Sequence, residues 1–126
     1  MPKSTATSNN IVGLYYNATA IANIADNAAS SPATNIYVAL ATASYSVSST
    51  MSSNETVYTN YARQTVARTT GGWSAPASGA TSNVAAIEFP QCGVTGATIT
   101  SACTGKAAGA SDIYHYGDLN ASIAVS

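Results

Sequence analysis

The sequence predicts a mainly β protein, an antiparallel, jelly-roll-like β-sandwich preceded by one N-terminal α-helix. Three observations carry that reading. Apolar residues recur at spacings of three and four only near the N-terminus, at Ile11, Leu14, Tyr15, Ala18, Ala22 and Ala25. Beyond Pro32 the pattern turns extended, in five or six short apolar or alternating runs. Clusters of Gly, Pro, Asn and Ser separate those runs.

Residues 1–10 are polar and read as an N-terminal arm, leaving residues 11–126 as a single domain. Asn10 is the expected N-cap of the helix, and residues 27–32 are expected to stop it. Residues 35–41 are apolar on both faces, as a central strand would be. Residues 43–56, rich in Ser, Thr and Asn, read as a long exposed loop. In 58–69, Tyr61, Arg63 and Thr65 share one strand face and Ala62, Gln64 and Val66 the other. Gly71-Gly72 and residues 76–79 mark turns around Trp73. Residues 84–89 alternate as a strand that Pro90 ends, 94–103 form another, and 104–111 read as a loop. Residues 113–119 and 121–125 supply the last one or two strands. Leu40 and Phe89, on apolar strand faces, are expected to be buried.

Composition narrows the function. The 126 residues carry a net charge of −1, and only 7% are charged, against roughly a quarter in an ordinary domain. Ala (25), Ser (17), Thr (16) and Asn (10) fill 68 positions. Four Lys plus Arg cannot neutralise a run of phosphates, so no nucleic-acid partner is expected. No run approaches a membrane-spanning length, and 46% hydrophobic residues at near-zero net charge argue against disorder. Met1-Pro2-Lys3 is followed by Ser and Thr where a signal peptide would need an apolar core, so synthesis and folding in a host cytoplasm are expected. Sequons at Asn17, Asn54 and Asn120 are as many as chance supplies.

Four segments in order carry a family resemblance: Ile36-Tyr37-Val38-Ala39-Leu40, Tyr61-Ala62-Arg63-Gln64, Ser82-Asn83-Val84-Ala85-Ala86-Ile87-Glu88-Phe89-Pro90 and Tyr116-Gly117-Asp118-Leu119. Together, over about residues 11–120, they resemble small tailed-bacteriophage virion proteins described as tail-fibre-like or minor structural proteins. The resemblance implies a virion component, on the head or on the tail. Gln91 stands where the family has an acidic residue. The family also continues with a further strand pair where this chain stops at Ser126, so an open sheet edge is expected, which another subunit could cover.

Chemistry-bearing residues are sparse. His115 could be set in a triad with Asp112 or Asp118, but all three lie in one short run without a nucleophile elbow, and packing between Tyr114 and Tyr116 or lining an interface is the preferred reading. Cys92 and Cys103, without a second histidine, cannot complete a zinc site; free thiols are favoured over a disulfide. The carboxylates are dispersed, so no glycosidase pair and no calcium loop is expected, and no metal or cofactor.

Eight Tyr against one Phe is the informative skew, because a ring with a polar tip suits half-wet interfaces. Tyr15, Tyr58, Tyr61, Tyr114 and Tyr116 are therefore candidate interface residues, with Arg63 and Arg68 as anchors, at least one of them surface-exposed. The main expectation is a non-enzymatic capsid decoration or cement protein on the outer surface of a virion. Its partners would be the major capsid protein or other virion proteins, and it would form a homo-oligomer. The alternative is a tail- or fibre-associated protein contributing to host contact. A small hydrolase or carbohydrate-binding enzyme module is disfavoured by the scarcity of His, acids and Trp.

Overall fold

A computed structural model describes residues 5–20, 33–105 and 113–126. The protein is mainly β: one short helix, α1 (Thr5–Tyr16), and four strands, β1 (Asn35–Ala41), β2 (Gln64–Ala67), β3 (Ala97–Gly105) and β4 (Ile113–Val125). The strands form one open antiparallel sheet in the order β2-β1-β3-β4. Among the described residues there is no second facing sheet, so the sandwich expectation gives way to a single open sheet. The chain divides into two compact units, residues 1–36 with 66–87 and residues 37–65 with 88–126.

In the first unit, half of the 12 residues of α1 are Thr, Ser, Asn or Gly, weak helix formers, so packing more than propensity holds it. Val12 and Tyr16, four apart, are buried, and the Tyr16 ring meets Trp73 edge-on at 4.4 Å. The helix includes residues 5–10, which the sequence reads as arm, and Asn10 lies inside it rather than capping it. The Asn9 side-chain oxygen instead takes the Gly79 N–H. Ala18, at φ 54°, turns the chain out of the helix, and Thr19 N–H reaches Gly13 O at 3.1 Å. The expected extension through Ala22 and Ala25, and the stop at 27–32, lie outside the described residues. Residues 73–83 form a ribbon around a two-residue turn. Ala77 and Ala80 exchange both backbone bonds, and Ser78 and Gly79 both take the positive φ that such a turn requires.

In the second unit, β1 pairs antiparallel with β3, Ala39 opposite Cys103 and Ala41 opposite Ser101. Ala39, Ala41, Cys103, Tyr45 and Met51 form the core of this unit. Small residues on the strands leave room for Tyr45 and the fully buried Met51, both delivered by the 43–56 segment. That segment is a loop, as expected, but three of its residues, Tyr45, Met51 and Thr56, are buried rather than exposed. Its residues 54–56 also cover the edge of β1: Thr42 N–H bonds Asn54 O and Thr56 N–H bonds Leu40 O.

The alternation over residues 84–89 does not form a strand, and Val84, Ala85 and Ala86 are exposed. Only residues 64–67 of the 58–69 run are a strand. The last run is one strand of 13 residues with two register shifts against β3. Four of its residues, 119–122, sit between the pairs Ile99–Ile123 and Ser101–Asp118, where β3 has one. A Cβ on Gly96 would stand 2.1 Å from Val125 O, which explains glycine at the entry to β3.

Candidate functional site

The predicted interface residues fall into three groups. In the first unit, Tyr15 is on the surface, while Arg68 is buried. Its guanidinium donates to the carbonyls of Leu14, Tyr15 and Ala33. The first two are carbonyls of the last turn of α1, which lack helical partners and face the negative end of the helix dipole. Arg68 is therefore the C-terminal cap of α1, not an exposed anchor.

The second group is Tyr58, Tyr61 and Arg63. Arg63 grips Glu55 with two bonds, Nε–Oε1 at 2.8 Å and Nη2–Oε2 at 2.7 Å. Tyr61 Oη donates to Glu55 Oε1 at 2.9 Å and accepts the Leu40 N–H at 3.0 Å. The bond to Glu55 holds the Arg63 guanidinium above its ordinary pKa. Burial, with the neighbouring Glu55 adding to it, pushes the Tyr61 phenol well above the usual range. These three side chains tie the 55–63 segment to β1. Tyr58 is buried and donates to Pro90 O at 2.9 Å, and Tyr61 stacks on Phe89 at 6.2 Å. Of the two arginines expected to include a surface-exposed one, Arg68 is buried and the Arg63 side chain is only 10% exposed against Glu55.

The third group is accessible. Tyr116 is 45% exposed and Tyr114 half-buried on β4, where they line a concavity of about 410 Å³ with Ser46, Ser49 and Thr50. Tyr45 braces Tyr116, its ring centre 6.2 Å away. Leu40 and Phe89, expected to be buried, are half-buried instead. They line a larger, more apolar groove of about 510 Å³ with Leu119, Ile123 and Val125.

The register separates the residues of the imagined triad. His115 lies opposite Thr104 and Asp118 opposite Ser101, three residues apart in one unbroken stretch, so the pleat sends them to opposite faces. Asp118 takes the Ser44 hydroxyl at 2.9 Å instead. Asp112 lies outside the described residues. Cys92 and Cys103 are both free thiols, Cys103 buried in the core with its pKa raised by that burial. Among the described residues no cluster of His, Cys, Asp and Glu could hold a metal, and no helix is long and apolar enough to cross a membrane. Sequence reading missed Glu55, Tyr45 and Met51. Glu55, the acid eight residues before Arg63, was the signal available for the first.

Over residues 4–126 the chain matches the family model Gp80, described as podophage GP4 fiber I protein gp80. The chain belongs to this family. It is thus placed among bacteriophage virion structural and fibre proteins, as the ordered motifs imply. No curated protein matches it.

Proposed function

We propose that this Gp80-family chain works as a fibre-associated virion protein that contributes to host contact by binding, without catalysis of its own. Membership of a fibre-protein family carries the reading, and it favours the fibre over attachment to the head lattice. The disposition of side chains agrees with a binding role. The Arg63–Glu55 pair and Arg68 serve the fold, whereas Tyr116 and Ile123, both exposed, lie on β4, at the end of the sheet. A terminal strand of 13 residues whose one charged side chain is Asp118 is suited to lie against other virion proteins or further copies of the chain. Its exposed Ile123 would be covered in that contact.

Fab fragments raised against the folded chain test the reading on intact particles. Binding of the Fab should slow adsorption to host cells. Adsorption unchanged at saturating Fab would exclude a part in host contact.

A further inference from the structure

We propose that the concavity between β4 and the turn at 46–50 is a binding site for a neutral saccharide. The proposal deepens the host-contact reading and rests on it. The space, about 410 Å³, falls within the range of small-molecule sites, roughly 300–1,000 Å³. Its wall combines aromatic rings and hydroxyls beside two aliphatic side chains, Val47 and Ile113. Tyr114 and Tyr116 supply aromatic rings with polar tips, and Ser46, Ser49 and Thr50 supply hydroxyls. A pyranose has the matching pair: an apolar C–H face that packs on a ring and a rim of hydroxyls that seek hydrogen bonds.

Both surfaces are held in place before any ligand arrives. Tyr116 leans on the buried Tyr45, which donates to Met51 O at 3.4 Å. Ser49 N–H closes the turn on Ser46 O at 3.0 Å, and Ser49 Oγ accepts the Ser46 N–H at 2.9 Å. The Ser46 hydroxyl pairs with those of Ser48 and Ser49, at 3.1 and 3.2 Å. A hydroxyl offers one donor and two acceptor positions, so members of such a cluster keep sites for a ligand. Among the described residues none of those lining the space is charged, and a neutral sugar needs no counter-charge there. A wholly apolar ligand would displace water from these hydroxyls without replacing its hydrogen bonds.

Saturation-transfer NMR on the full chain, with a panel of neutral hexose and N-acetylhexosamine oligosaccharides, tests this. At least one should bind and shift the ring signals of Tyr114 and Tyr116. Tyr116→Ala should weaken binding about tenfold or more, Tyr116→Phe should retain most of it, and Tyr15→Ala should change nothing. If Tyr116→Ala fails to fold, the ring shifts in the unaltered chain decide. The idea is overturned if no panel member binds, if binding leaves those rings unshifted, or if a folded Tyr116→Ala binds as before. Location of the chain on the particle is a separate result: a chain found in the fibre that binds no sugar ends this inference and leaves the fibre reading intact.

Discussion

Met51 offers a sharp test of how the Ser- and Thr-rich segment is held. It is fully buried, packs with Ala39, Ala41, Tyr45 and Cys103, and has the Arg63 Nη1 at 3.8 Å from its sulfur. Met51→Ala removes three side-chain heavy atoms from a site walled by two strands, which cannot collapse onto the gap. Such truncations cost about 2–5 kcal/mol, out of a total stability of about 5–15 kcal/mol. For a chain of this length the loss corresponds to a fall in Tm of roughly 10–20 °C. Val47→Ala is the control, because Val47 is 95% exposed four residues away; it should change stability by less than about 0.5 kcal/mol. Urea unfolding followed by far-UV circular dichroism gives both numbers. Equal, small effects would show that residues 43–56 stand off the sheet and that Met51 is not core.

Three further outcomes are expected. Tyr61→Phe deletes the hydroxyl that joins Leu40 N–H to Glu55 and should cost about 1–3 kcal/mol in the same unfolding measurement, since a backbone donor loses its partner. Burial holds the Tyr45 and Tyr61 phenols above their ordinary pKa of 10.0, so the unfolded chain releases these protons first and binds fewer of them. Stability should therefore be complete below pH 10 and decline as pH rises beyond it, and a flat alkaline profile would contradict their burial. With a thiol reagent, Cys92, half-buried, should react in the native protein while Cys103 reacts only on unfolding; two native thiols reacting at one rate would place Cys103 at the surface.

Much of the sheet was legible in the sequence for a simple physical reason. Residues 35–41 are apolar on both faces, and β1 indeed lies between two neighbours, with four of its seven side chains buried. Alternation misled where nothing pairs with it. Residues 84–89 have a strand's pattern, but a strand also needs a partner edge, and that information is not local. The helix was placed too late because Ser8, Asn9 and Asn10 resemble a cap; a partner distant in sequence, Gly79 against Asn9, helps hold the earlier turns. The tyrosine skew was read as interface, and Tyr116 and Tyr15 are exposed. Tyr16, Tyr45 and Tyr58 are buried instead; around Tyr45 the small neighbours Ala39 and Ala41 leave volume that its ring fills. Arginine usage was unreadable for a related reason. A guanidinium in a chain with little charge looks like an anchor until its acceptors, Glu55 or the end of α1, are located in space.

The ordered motifs resembled phage virion proteins but left head and tail open, and the family match favours the fibre. Immunogold labelling of purified, intact particles with an antibody to the folded chain tests that claim most directly. Label should be confined to the fibres, with few copies per particle. Label spread over the head at hundreds of copies would contradict it.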